Sequence, residues 1–143
     1  MSNINYSLRV LMNLTKTQSI ISRRFDRLSL HGIGFNDFMI LYILRQAESE
    51  RMRRIDLAEK IGLTASGVTR MLVPLEKIGL IKREANERDA RVSYVVLTET
   101  GKQLFEDAKE TANALAKEII PIEKSKNIAP LSDLLTDLGG NIT

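Results

Sequence analysis

Cysteine is absent from this 143-residue chain and histidine occurs once. Without cysteine there is no disulfide framework, no thiol switch and no thiolate metal site. A lone histidine rules out a His-rich metal centre. No apolar run approaches the roughly 18 residues needed to span a bilayer. The first apolar stretch, Leu8 to Leu14, is broken by Arg9 and Asn13 and lacks a secretory pattern. The cytoplasm is therefore the expected location, with no membrane partner. A serine–histidine–acid set and a phosphate-cradling glycine loop are also missing, so neither catalysis nor a cofactor is expected.

Apolar residues make up 43% of the chain and charged residues 27%, enough for one folded unit with a true core. The net charge of +3 is unevenly placed. Residues 51–91 hold ten Lys or Arg against six Asp or Glu, a local +4, so the remainder carries −1. Such a concentration attracts phosphate, although charge alone does not separate a nucleic-acid face from a solvated one.

Hydrophobic spacing predicts a helix from about Asn5 to Leu30, carried by Leu8, Leu11, Leu14, Ile21, Phe25 and Leu28. Asn36 is expected to cap the next helix, Phe38 to Leu44, which is apolar on every side and so belongs in the centre of the fold. Arg51 to Arg54 reads as a lead into a short helix, Ile55 to Ile61, that Gly62 turns. Thr64 then caps a helix from Ala65 to Ile78. Val68, Met71, Leu72 and Leu75 form its core stripe, while Ser66, Thr69, Arg70 and Val73 form a second. The second stripe, with two hydroxyls, a guanidinium and methyl groups, has the chemistry of groove contact. Pro74 removes an interior hydrogen bond and predicts a bend, and Gly79 with Leu80 predicts a Schellman stop.

Two strands, Leu80–Glu84 and Val92–Leu97, flank a charged tip from Ala85 to Arg91. Thr98 caps a long helix reaching about Ile120, Pro121 ends it, and a last helix spans about Ala129 to Leu138. The tail after Gly139-Gly140 is expected to be mobile. Helix, turn, helix and basic hairpin in this order describe a mainly α winged helix-turn-helix. Its expected parts are an N-terminal dimerisation helix (1–34), a DNA-binding module (35–98) and C-terminal dimerisation helices (99–143), forming one structural unit overall. The flanking seams lack an obvious internal partner of matching length. A twofold dimer would bury them and set two recognition helices one DNA turn apart; the alternative is a monomer whose ends fold back on its own core.

Leu-Ala-Glu-Lys-Ile-Gly-Leu-Thr (57–64), Ser-Gly-Val-Thr-Arg (66–70), Leu-Glu-Lys-Ile-Gly-Leu-Ile (75–81) and Arg88-Asp89-Ala90-Arg91 followed by Leu-Thr-Glu-Thr-Gly (97–101) together resemble the multiple antibiotic resistance regulator (MarR) family. The resemblance is close from about Phe35 to Leu104. It implies a homodimeric, ligand-responsive transcription regulator, usually a repressor, on a near-palindromic operator of double-stranded DNA. Its DNA-facing positions fall on Thr64, Ser66, Thr69 and Arg70. Its wing pattern places Asp89 as a support and Arg91 toward the minor groove. Asn86 and Ala90 stand where the family commonly has Asp and Arg, so Arg88 competes with Arg91 for the tip. An arginine there suits the negative potential of a narrow A·T-rich groove, and Asp89 suits a bidentate pair that fixes the loop.

Family effectors, often small anionic aromatics, imply a site near the end of the first helix and start of the second. Arg24, His31 and Tyr42 are the candidates there, with Arg27 nearby and Phe25, Phe38 and Met39 as walls. The competing assignments are core for Tyr42, surface for Arg24 and an exposed loop for His31. A reading from a different class is a winged-helix protein-interaction scaffold without specific DNA binding.

Overall fold

Asn5 opens the first helix, α1 (Tyr6–Arg24), its side chain accepting from the Leu8 N–H at 2.7 Å. The computed structural model describes residues 3–89 and 91–143, so Ala90 of the wing lies outside the described residues. The expected continuation of α1 to Leu30 is instead a 3-10 turn, Asp26–His31. The tighter winding accompanies burial of Phe25 and Leu28, and the Phe25 ring stacks on Phe35 at 3.9 Å between centroids. The second helix, α2 (Phe35–Gln46), is not capped by Asn36. Gly34 is the cap residue, and Asp37 reaches back to accept its N–H at 2.9 Å. A carboxylate in the first turn also meets the positive end of the helix dipole. Ile40, Leu41 and Leu44 are fully buried, as an all-apolar helix requires.

Residues 51–53, expected to lead into a helix, form a strand. This β1 (Arg51–Arg53) pairs antiparallel with β3 (Ser93–Leu97), placing Met52 opposite Val95. β2 (Ile81–Ala85) pairs on the other side, giving the order β1-β3-β2. A third strand supplies the support that an isolated hairpin lacks. The chain enters β1 through Ser49 and Glu50, both left-handed at φ 58° and 53°. Neither is glycine, so the turn is strained. Arg45 at 3.3 Å and Lys102 at 3.6 Å hold the Glu50 carboxylate in place.

Between β1 and β2 run α3 (Arg54–Ile61) and α4 (Ala65–Lys77). Gly62, at φ 78°, makes the turn between them, and Thr64 caps α4 by accepting the Gly67 N–H at 3.0 Å. The helix continues through Pro74. Gly79 at φ 79° ends it, with Gly79 N–H to the Glu76 carbonyl and Leu80 N–H to the Leu75 carbonyl, the two bonds of a Schellman stop. Val68, Leu72 and Leu75 sink into the core beside Leu57, Leu80, Ile81 and Val95.

Thr98 starts α5 (Glu99–Ile119) and closes it onto the end of α4. Its hydroxyl donates to the Gly79 carbonyl at 2.6 Å and accepts from Gly101 N–H at 3.0 Å. Phe105, Ala108, Ala112 and Leu115 carry α5 into the same core as Phe25, Leu28 and Ile33, so packing runs across residues 34 and 98. The last helix, α6 (Ile128–Asp137), has no buried residue, and neither does α1. Among the described residues no helix is long and apolar enough to cross a membrane.

Candidate nucleic-acid interface

The outward stripe of α4 sorts its side chains by how much bonding capacity remains. Thr64 is exposed but spends its oxygen on the cap, with Ser66 Oγ 3.4 Å away. Ser66 and Arg70 are exposed. Thr69 is half-buried, and its hydroxyl donates to the Ala65 carbonyl at 2.9 Å while accepting from Arg54 Nη1 at 3.2 Å. The same Nη1 donates to the Ala65 carbonyl at 3.0 Å. Sequence spacing gave no sign of the Arg54–Thr69 contact, because the partners are fifteen positions apart and β1 sets their approach; the basic run from Arg51 to Arg54 was its only trace.

The wing is organised by two side chains. Asn86 Oδ1 accepts the N–H groups of Arg88 at 2.7 Å and Asp89 at 3.3 Å, turning the tip. Asp89 accepts from Arg91 three times: backbone N–H at 3.0 Å, Nε at 3.2 Å and Nη2 at 3.4 Å. Asp89 is therefore paired with Arg91 in a fork, and these bonds hold its carboxyl below the usual carboxylate range, the side-chain bonds most. The Arg91 side chain remains 91% exposed. Arg88 is exposed, with its backbone committed to Asn86. At the base of the wing, Arg83 forks Glu76 at 3.1 and 3.0 Å, joining β2 to the end of α4 and holding the Glu76 carboxyl low.

The three effector candidates do not share a cavity. His31 is half-buried rather than an exposed loop residue, because its Nε2 lies 2.9 Å from Thr111 Oγ1 on α5. It edges a cleft with Glu99, Gln103, Leu104 and Asp107. Tyr42 faces a separate groove of about 720 Å³ with Ile43, Met52 and Lys60. The tail expected to be mobile lies there too, its Thr143 carbonyl accepting from the Tyr42 hydroxyl at 2.9 Å. Arg24 is exposed at the end of α1 and borders neither. Arg27 pairs with Glu118 at 2.6 Å.

Residues 36–93, from α2 through the wing to the start of β3, match the model of the MarR family. Over that segment the chain is similar to the MarR family. The HTH-type transcriptional regulator YdgJ of Bacillus subtilis is 26% identical over 133 residues, covering 93% of this chain and 79% of that protein. Sco3205, a MarR family transcriptional regulator from Streptomyces coelicolor solved in complex with DNA, matches with a TM-score of 0.78 at 17% identity, covering 96% of this chain and 91% of that one. The organohalide-sensing regulator RdhR-CbdbA1625, solved in its 2,4-dichlorophenol-bound form, matches with a TM-score of 0.83 at 22% identity over 95% and 80% of the two chains. These matches show that the chain has the winged helix-turn-helix fold of those regulators.

Proposed function

We propose that the chain is a homodimeric repressor of a near-palindromic operator, with α4 in the major groove and the wing at the minor groove. One observation carries the reading: the Asp89–Arg91 fork at the hairpin tip. A guanidinium fully open to solvent ordinarily samples many rotamers. Here Asp89 holds it in one, beside a helix whose outward face shows Ser66 and Arg70. Preorganisation lowers the ordering cost of binding, and of the two wing arginines this favours Arg91 as the minor-groove side chain.

Selection of duplexes from a random library provides the test. The native chain is expected to enrich an inverted repeat, with affinity falling steeply as salt rises. Arg91→Ala is expected to weaken that duplex by about tenfold, about 1.4 kcal/mol. Salt-insensitive behaviour, or no enrichment, would support a protein-interaction scaffold instead.

The regulating ligand of this reading is a small aromatic anion. RdhR-CbdbA1625 is solved in its 2,4-dichlorophenol-bound form. In this chain the Tyr42 groove offers apolar Ile43 and Met52 and the Lys60 ammonium, but Asp56 and Glu59 line it too, as Glu99 and Asp107 line the His31 cleft, so charge does not select between the two. Such a ligand acts by favouring a dimer whose helix spacing mismatches the operator, and about 1.4 kcal/mol of preference gives a tenfold loss of affinity. Calorimetry with benzoate and hydroxybenzoates, with and without duplex, reads this directly. Absence of heat, with unchanged DNA affinity, removes the ligand from the reading.

A further inference from the structure

Three arginines meet at a small cleft of about 60 Å³ between the start of α3 and the wing where it enters β3: Arg53, Arg54 and Arg91. Two of them are already neutralised. Arg53 forks Asp56 at 2.9 and 3.2 Å, and Arg91 forks Asp89. Arg54 alone bonds neutral acceptors, the Ala65 carbonyl and the Thr69 hydroxyl, and among the described residues no carboxylate lies within ion-pair distance of it.

A guanidinium carries five N–H donors. Both hydrogens of Arg54 Nη1 are spent on α4, leaving the two on Nη2 and the one on Nε unpartnered among the described residues. A half-buried charge without a counter-ion is costly unless something completes it. In the operator-bound arrangement, a duplex that meets α4 with one groove and the wing with the next carries its backbone past this cleft.

We infer that Arg54 is a DNA-contact residue in its own right: one amino group locks the first turn of α4, and the other edge of the guanidinium takes a backbone phosphate between α4 and the wing. This rests on the operator-binding reading and adds a site to it. A planar fork can serve both tasks at once, whereas the point charge of lysine cannot. The inference also assigns the Thr69 hydroxyl to Arg54 and Ala65, so that Thr69 meets the groove chiefly through its methyl group.

The experiment is a salt titration of duplex affinity for the native full chain, Arg54→Gln and Arg54→Lys, using the duplex recovered from the random library. Arg54→Gln is expected to weaken binding about tenfold and to reduce the slope of log affinity against log salt by about one per protomer, the signature of a lost phosphate contact. Arg54→Lys is expected to keep the slope while losing affinity. A native slope in Arg54→Gln, even with weakened binding, would mean that Arg54 only braces the helix and would overturn the inference. Should Arg54→Gln fail to fold, Arg54→Met, which keeps the aliphatic stem without the charge, is tested against duplexes with single neutral methylphosphonates. One position that weakens the native chain and adds little to the loss in Arg54→Met supports the contact, and strict additivity at every position overturns it. Failure of the native chain to bind any duplex is seen before a variant is made and overturns the operator reading itself.

Discussion

Asp89 and Arg91 show how a loop exposed to water is given one shape. Each bond is weak alone, because exposed ion pairs contribute little to stability. Together they fix the position of a side chain rather than the stability of the fold. The Asp89 carboxyl is held below its ordinary value of 3.8, first by the Arg91 side chain and then by the Arg91 backbone N–H. A depressed folded value means that the contribution is fully present above the unfolded value and is lost as pH falls through the lowered one. The fork is therefore intact throughout the neutral range and opens only below about pH 4. The Arg91 Nε–H resonance is expected to remain protected from exchange at pH 5 and to lose protection in stronger acid. Asp89→Asn is expected to leave the melting temperature within about 1 °C and to weaken duplex binding about fivefold. Unchanged DNA affinity in Asp89→Asn would show that the loop needs no brace. The pairing of Asp89 with an arginine was legible in the sequence, but the choice between Arg88 and Arg91 was not. The two flank the acid at one and two positions, and only the turn made by Asn86 separates them.

At the level of elements, the junction between α4 and α5 transmits geometry. Thr98 bonds the carbonyl of Gly79 and its own N–H bonds that of Leu80, while Gly101 lies directly on the Leu80 backbone. A Cβ at Gly101 would overlap the Leu80 carbonyl oxygen and come within 2.9 Å of Leu97 Cδ1. Backbone cannot rotate away as a side chain can, so Gly101→Ala is expected to cost about 3 kcal/mol or to shift α5 bodily. Urea unfolding measures the first outcome, and a changed operator-spacing preference reveals the second. Native stability and spacing in Gly101→Ala would refute the close packing. The caps of α3, α4 and α5 were legible because each is written within a few residues: Gly62, Thr64, Gly79, Thr98. β1 was not, because three residues carry too little alternation and its partner β3 lies some forty positions on. The turn at Ser49 and Glu50 gave no signal either, since left-handed turns ordinarily announce themselves with glycine or asparagine. Asn36 misled because its side chain suits a cap, yet the acid one position later made the better bond to Gly34.

For the whole molecule the decisive feature is what the core leaves uncovered. Ile4, Leu8, Leu11 and Met12 at the start of the chain, Leu131 and Leu134 on α6 and Leu138 at its C-terminal cap are all exposed. Seams of this kind were visible in sequence as helical spacing, but which surface covers them was not, because an apolar stripe does not name its partner. Soluble monomers seldom show such extended apolar faces, and a second copy offers a matching pair of helices. α5 is keyed to α4 through Leu80 at one end and leads toward α6 at the other, so closing the α1 and α6 seams across a twofold would fix the distance between two recognition helices. A chain carrying Leu11→Glu with Leu134→Glu is expected to sediment as a monomer at about 10 µM while keeping its helix content. Its affinity for the full inverted repeat is expected to fall by about 100-fold or more, toward that of a half-site, because the second contact no longer comes at high effective concentration. Its affinity for an isolated half-site should stay within about twofold, since the glutamates lie outside the α4–wing surface. Loss at the half-site as well would mean that the seams brace the reading helix within one chain. A native chain that sediments as a monomer at the same concentration would leave the inverted repeat without a second reader.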